Sequence, residues 1–394
     1  MVDVLTELMR AEADFLDVPP PPTAAIMRDG RRARRTRLVL PGLAAVAAAS
    51  VVGALVLIPG TKPGDPTVGR SERAPASFTS AEAAAAQEAY AESGAYAAGS
   101  EVFFGDLPQG VEIADPAVRG LYYTSAGLLV RHGKDYVMDG SGPEGYSLVG
   151  TDGSVAGLGI SLGDVSPSTD PTQPYLAYAR PAAGEWEVVI LDLRSGKPAA
   201  VVPVEGSFTW GGWDAPPVAL AGDRVYVGLD DETVAVEWRT GKATPTPLGG
   251  SRYPDINADR FLQIDNSDSA RTSVQVKDAL TGEVLRDLPD VGDRWASLSP
   301  DGSQVLVLPY MPVDEDGQIG LLDGAVLYSV DSGRSAEIPA SPTGGYGWTP
   351  DGSVISVAGA ELTRCDLDGC DTMPIDPEVV SSGTVRLGGM VNEA

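Results

Sequence analysis

The chain has 394 residues, 43% of them hydrophobic, and a formal net charge of −27. That length holds two or three average domains or one large β domain behind a tail, and the apolar share suffices for a buried core. So negative a field excludes DNA, RNA and anionic lipid headgroups as favoured partners, whereas a cationic partner, divalent ions or plain solubility fit it.

Residues 2–17 place Val4, Leu5, Leu8, Met9, Phe15 and Leu16 on one helical face, with Glu7, Arg10, Asp14 and Asp17 opposite. Pro19-Pro20-Pro21-Pro22 stops that helix, because proline lacks the amide donor and constrains its predecessor. A short second helix from Thr23 to Arg35 leads into Arg31, Arg32, Arg34, Arg35 and Arg37, a basic cluster with no acid in it. Next comes Leu38–Ile58, LVLPGLAAVAAASVVGALVLI, without a charge. About 20 apolar residues at ~1.5 Å each cross the ~30 Å core of a bilayer. The arginines hold their end on the cytoplasmic side. No Ala-x-Ala site follows Ile58 and no cysteine lies nearby to accept a lipid, so the span reads as an anchor rather than a cleaved leader.

The expected organisation is therefore a single-pass plasma-membrane protein with its N-terminus inside. It has a cytoplasmic arm at 1–37, a transmembrane helix at 38–59, a linker and Ala-rich helix at 60–100, and an extracytoplasmic domain at 101–394. Residues 1–60 carry seven arginines against six acids, which leaves the outer part near −28. The face formed by Leu5, Leu8 and Met9 reads either as a docking surface for a cytoplasmic regulator on residues 1–28 or as part of a tail that only sets topology.

The helix, the proline break and the arginine run before an Ala/Val-rich span resemble the cytoplasmic arms of actinobacterial membrane proteins associated with alternative sigma factors. The chain's preference for arginine over lysine, with only five lysines, is similar to actinobacterial usage. That resemblance implies a transmembrane regulator. The zinc signature of zinc-type anti-sigma factors is absent, since residues 1–60 contain neither His nor Cys.

Residues 60–78 are rich in Pro, Gly and Ser and read as a linker. Residues 80–98 are Ala-rich with Ser80 as N-cap, and read as a helical stalk or a helix packed on the domain. From Val102 onward the pattern is β. Five stretches share a β run followed by a tight glycine turn: VVILDLRSGK, TVAVEWRTGK, SVQVKDALTGE, AVLYSVDSGR and ELTRCDLDGC. Their glycines, Gly196, Gly241, Gly282, Gly333 and Gly369, stand 36 to 51 residues apart, bracketing the ~40–50 of propeller blades. A second marker interleaves: Ser299-Pro300-Asp301-Gly302-Ser303 and Thr349-Pro350-Asp351-Gly352-Ser353. Proline presets the first turn position, Asp bonds the local backbone and Gly takes the left-handed one. Ala221–Arg224 and Asn257–Arg260 read as weaker cognates, and Thr151–Ser154 as a degenerate one.

These repeats resemble the blades of TolB-like and WD-type β-propellers. The resemblance implies a mainly β fold, an extracytoplasmic propeller of six blades, with seven as the alternative count. The six tryptophans then read as blade core rather than as a sugar platform. Cys365 and Cys370, the only cysteines, flank one turn, and an oxidising compartment favours a hairpin disulfide there. A metal site at two cysteines with no further ligand is the poorer alternative.

No constellation announces chemistry. Gly159-Ile160-Ser161-Leu162-Gly163 matches a nucleophile-elbow string, but the only histidine, His132, precedes it and prolines replace the following helix. His132 itself reads as turn packing. Ser329–Ser335 resembles part of a sialidase Asp-box and reads as a hairpin. Asp314-Glu315-Asp316-Gly317 and Asp366-x-Asp368-Gly369-x-Asp371 offer oxygens to Ca²⁺, but neither completes an EF-hand loop, so they read as solvated turns. The expectation is a non-enzymatic propeller without a cofactor that binds a ligand or a protein outside the membrane. Its rivals are an envelope scaffold and a carboxylate-dependent propeller hydrolase.

Overall fold

The structure is a computed structural model. It describes residues 80–390 apart from 106, 108–109, 136–143, 164, 166, 183–184, 210–212, 251–254, 269–270, 289–293, 310–323, 342–344 and 376–383. The arm with Leu5, Leu8 and Met9, the arginine cluster Arg31–Arg37, the span Leu38–Ile58 and the linker lie outside the described residues. Among the described residues no helix is long and apolar enough to cross a membrane.

A helix, α1 (Ser80–Ser93), precedes three short strands, β1 (Ala95–Ala98), β2 (Glu101–Phe104) and β3 (Val111–Glu112). Six antiparallel meanders follow. The first is β4 (Ala117–Thr124), β5 (Gly127–Gly133), β6 (Glu144–Val149) and β7 (Val155–Gly157). The next is β8 (Ser168–Thr169), β9 (Tyr175–Ala182), β10 (Glu185–Asp192) and β11 (Lys197–Val204). Then come β12 (Val218–Ala221), β13 (Arg224–Gly228), β14 (Thr233–Glu237) and β15 (Lys242–Pro245). The fourth holds β16 (Ile256–Asn257), β17 (Arg260–Asp268), β18 (Arg271–Asp278) and β19 (Val284–Asp287). The fifth holds β20 (Arg294–Leu298), β21 (Gln304–Pro309), β22 (Ala325–Ser329) and β23 (Ser335–Ile338). The sixth holds β24 (Gly347–Trp348), β25 (Val354–Ala358), β26 (Glu361–Cys365) and β27 (Cys370–Pro374). A last strand, β28 (Val385–Leu387), returns to pair with β1 and completes a seventh four-stranded sheet of order β28-β1-β2-β3.

The ring thus has seven blades, which corrects the six counted from the repeats. The glycine turns are all outer hairpins between third and fourth strands, and the Pro-Asp-Gly turns are inner hairpins between first and second strands. Thr151–Ser154 joins β6 to β7, so it is the outer hairpin of blade 2 and not a cognate of Pro-Asp-Gly. Counted together, the outer turns number six. Blade 1 escapes because the two ends of the chain build it, so no hairpin links its first and second strands, β28 and β1, and the link from β2 to β3 repeats none of the glycine-turn stretches. Its strand β1 starts at Ala95, ahead of the boundary expected at residue 101.

Strand alternation explains the core. Successive side chains point to opposite sheet faces, and here each face meets a neighbouring blade. On β13, Val225 and Val227 join the cluster between blades 3 and 4, while Tyr226 joins the one between blades 4 and 5. On β14, Val234 and Val236 divide from Ala235 in the same way. One apolar cluster sits at each blade junction around the ring, including the junction of blades 7 and 1. A blade alone leaves both faces wet, so the ring is stable only when closed. The alternative of a free stalk for α1 is settled by packing: Ala86 and Tyr90 are buried against blades 1 and 2, and Gln87 bonds to the Pro171 carbonyl.

The turns are built as their residues dictate. In blade 6 the Asp301 carboxylate accepts from the Ser303 amide (3.0 Å) and the Ser299 hydroxyl (2.6 Å), with Gly302 at φ 70°. In blade 7 Asp351 accepts from Thr349 and, at 2.6 Å, from Arg364, with Gly352 at φ 86°. The inner hairpin of blade 5 departs from the rule, since Ala258 (φ 49°) and Asp259 (φ 59°) hold left-handed conformations without glycine. Asp259 is fixed from blade 4, accepting from Arg224 at 2.6 Å and from the Tyr226 hydroxyl at 2.7 Å. Similar clasps run on around the ring from Arg260 to Asp331 (3.0 Å) and from Arg334 to Asp368 (2.8 Å). Cys365 and Cys370 are a directly opposed pair across β26 and β27 and form a disulfide.

Candidate functional site

The first strands of the blades surround the axis, and several are very short: β8, β16 and β24 have two residues each. A wide ring with short inner strands leaves its centre open. The resulting cavity has a volume of about 850 Å³, within the range of small-molecule sites. Its wall includes Tyr122 and Tyr123 on β4, Trp213 before β12, Phe261 on β17, Trp295 on β20 and Trp348 on β24, of which Tyr123, Phe261 and Trp348 are buried. Trp295 is 55% exposed although it belongs to a strand.

The expectation that the tryptophans are blade core holds for only some of them. Trp238 (4% exposed) and Trp348 (2% exposed) are buried, but Trp213 and Trp295 face the cavity. Three polar side chains of the wall bond to the fold, and Thr169 and Gln263 line it as well. Ser168 Oγ accepts from the Leu220 amide (2.9 Å), Ser297 Oγ from Trp348 Nε1 (3.2 Å), and Asn257 Nδ2 donates to the Leu298 carbonyl (3.1 Å).

One acid stands on the wall, Asp255, just ahead of β16. It keeps some accessible area because it faces the cavity, yet protein encloses it on the other sides. Burial pushes its carboxyl up to about 7, against the opposing effect of one hydrogen bond from the Leu298 amide. The described wall contains no Lys, Arg or His to offset it. Its strand position sets its depth: the Leu262 amide bonds to the Asp255 carbonyl, close to the inner hairpin of blade 5. Trp295 lies three residues before Leu298, about 10 Å further along the axis at strand rise. A desolvated carboxyl on the wall of a cavity is a recognised mark of a functional site.

Nothing in the sequence singled out Asp255 from the 55 acids. The turn residues Pro300, Asp301, Gly302, Pro350, Asp351 and Gly352 hold hairpins, and of these only Pro300 touches the cavity. Ser161 of the elbow-like string lines a separate cleft of about 470 Å³ with Tyr178, Arg180 and Asp214. It lies on the link between blades 2 and 3, not on a strand-to-helix turn. Asp366 accepts from the amides of Asp368 and Gly369 within its own turn. Among the described residues no three His, Cys, Asp or Glu gather as a metal group. Asp314–Gly317 lies outside the described residues.

The largest departure concerns His132. It lies on β5, 6% exposed, rather than in a turn. Its Nδ1 faces Asp115 Oδ2 at 2.7 Å and its Nε2 faces Ser147 Oγ at 2.9 Å. The order Asp–His–Ser is that of a nucleophilic triad. The setting is not, because Ser147 is 6% exposed within β6 and neither cavity reaches it. A nucleophile needs a reacting carbon about 3 Å away with oxyanion donors beside it. Here the relay ties the link between β3 and β4 to β5 and β6. The His132 ring lies over Gly145, where an added Cβ would stand 2.8 Å from Cε1. Nearby, the buried Arg119 donates to the Asp135 carbonyl (2.9 Å) and carboxylate (2.6 Å).

No protein-family model matches the chain, and no curated protein matches it in sequence. Solved structures similar in fold include hydrazine synthase of Kuenenia stuttgartiensis, at 15% identity and TM-score 0.42 over 66% of this chain and 80% of that one. TolB from Acinetobacter baumannii is similar at 14% identity and TM-score 0.40, over 74% of this chain and 64% of that one. BamB from Moraxella catarrhalis is similar at 15% identity and TM-score 0.33, over 72% and 91%. These are likenesses of fold alone.

Proposed function

We propose that the propeller is the ligand-binding part of a single-pass membrane protein, held outside the membrane by Leu38–Ile58, and that its central cavity captures a small molecule. The observation that carries this reading is the cavity itself, with the exposed ring of Trp295 and the Asp255 carboxyl on a described wall that holds no Lys, Arg or His. An aromatic ring as exposed as Trp295 is hydrated at a free-energy cost that an apolar ligand group removes. In this reading the arm at residues 1–28 passes occupancy to a cytoplasmic regulator through the face of Leu5, Leu8 and Met9.

The test uses the full-length protein in dodecyl maltoside micelles with 3,3-dimethylbutan-1-ol, a neutral apolar probe, followed by saturation-transfer NMR. Saturation that weakens in Trp295→Ala and Trp213→Ala supports the cavity as the site. Equal transfer in all three proteins overturns it. The arm is tested separately by crosslinking in native membranes: deletion of residues 2–28 removes a cytoplasmic partner under the regulator reading. A scaffold keeps the same envelope partners with or without those residues.

A further inference from the structure

We infer that the ligand of the central cavity is a neutral carbohydrate, which lays the apolar face of one sugar ring on the Trp295 indole and turns its hydroxyls to Asp255, Gln263 and Thr169. This rests on the reading of the cavity as a ligand site and names the class of ligand it takes. A sugar ring is apolar across its C–H face and polar around its rim, and the described wall offers both kinds of surface. Trp295 is 55% exposed on β20, which leaves a large apolar area uncovered. Gln263 and Thr169 line the cavity half-buried, and among the described residues neither side chain is hydrogen-bonded to another group. An amide and a hydroxyl each donate and accept, as sugar hydroxyls do. Asp255 adds a third such group, since burial holds its carboxyl near neutrality, at about 7, where it serves as donor or acceptor.

Strand register places these groups along the axis. Thr169, Asn257 and Leu298 end the first strands of blades 3, 5 and 6, so they stand at matching levels beside the inner hairpins. Trp295 is three residues before Leu298, and Asp255 is two before Asn257. Gln263 follows Leu262, whose amide bonds to the Asp255 carbonyl, and so shares the level of Trp295. From there to Thr169 is about 10 Å along the axis at strand rise. That is longer than a single sugar ring, so a ligand touching all four residues has at least two. The cavity, of about 850 Å³, is in the size range for such a molecule. Charge narrows the class further. The described wall holds no Lys, Arg or His, and the chain carries a net charge of −27. Uronates and sulfated or phosphorylated sugars therefore meet a repulsion that a neutral sugar does not.

The full-length protein is prepared in micelles of a polyoxyethylene detergent, which brings no sugar of its own. Saturation-transfer NMR at pH 8 then compares maltose, cellobiose, lactose and N,N′-diacetylchitobiose with 3,3-dimethylbutan-1-ol. At least one disaccharide should receive saturation, and Trp295→Ala should weaken that sugar about 10-fold. Gln263→Met and Thr169→Val keep the side chain's size and remove its hydrogen-bonding group. Each should weaken the sugar about 3- to 10-fold and leave the alcohol unchanged. The same sugar oxidised to its uronate should bind on the order of 10-fold more weakly, and Asp255→Asn should bring the two within about 3-fold of each other. Three results overturn the carbohydrate assignment while the cavity stands as a ligand site: the alcohol binds and no disaccharide does, the sugar binds equally to wild type and to the Trp295, Gln263 and Thr169 variants, or the uronate binds as tightly as its parent. Failure of the alcohol and of every sugar to bind overturns the assignment and the reading beneath it together.

Discussion

Replacing Asp255 with Asn keeps an oxygen to accept from the Leu298 amide and removes the ionisable proton. An unfolded Asp titrates near about 3.9, whereas burial holds this one up to about 7 in the folded protein. Between those values the folded state binds the proton and the unfolded state does not. Wild-type stability therefore falls as pH rises from about 4 to 7, and levels off above. Each pH unit in that window costs about 1.4 kcal/mol, so the variant gains at most about 4 kcal/mol over the wild type by pH 8. Water entering the cavity solvates the carboxylate and lowers this, which places the expected gain at about 2–4 kcal/mol. The assay is urea unfolding of the two full-length proteins in dodecyl maltoside micelles at pH 5, 6, 7 and 8, followed by tryptophan emission. A gap between variant and wild type that widens to pH 7 and then holds supports the reasoning. A gap independent of pH, or one that narrows as pH rises, refutes it and places solvent or a cationic partner beside the carboxylate.

Tryptophans of the two settings should separate by stability. Trp238→Ala, which empties a junction between blades 3 and 4, should cost about 3–5 kcal/mol, and Trp295→Ala under about 1 kcal/mol by its exposure; equal losses in thermal melts would contradict the placement of Trp295. His132→Ala leaves the Asp115 carboxylate and the Ser147 hydroxyl unpaired and should cost about 2–4 kcal/mol, while the absence of a destabilisation in urea would show the relay to be dispensable. Ala258→Asn places a residue tolerant of φ 49° in the inner hairpin of blade 5 and should raise stability by about 0.5–1 kcal/mol; a lower melting temperature would argue against the left-handed geometry. Reducing the Cys365–Cys370 bond opens only a short loop and should cost about 2 kcal/mol or less, which melts with and without a phosphine reductant measure directly.

Repetition was legible because a hairpin is a local object. Gly196, Gly241, Gly282 and Gly333 all take φ near 65–74°, a conformation that marks the turn whatever surrounds it. The disulfide was legible for the same reason, since two cysteines flanking one tight turn face each other across its strands. Blade number was not, because β28 and β1 meet from opposite ends of the described chain. His132 was misplaced because its partners come from elsewhere: Asp115 precedes β4 and Ser147 sits on β6. The sequence offered no reason to join them.

The sequence by itself determined the β character, the blade period and the turn chemistry, and it alone carries the expectation of a span at Leu38–Ile58. Each of these depends on residues close together in the chain, through backbone conformation, alternation or the summed length of an apolar run. The tertiary structure decided the closing of the ring, the difference between Trp238 and Trp295, and the standing of Asp255 among the acids. Alternation gives a residue two opposite faces but does not say whether a given direction meets a neighbouring blade or the axis. Desolvation of a carboxyl is likewise a sum over every group that closure gathers around it, and those groups come from blades distant in sequence.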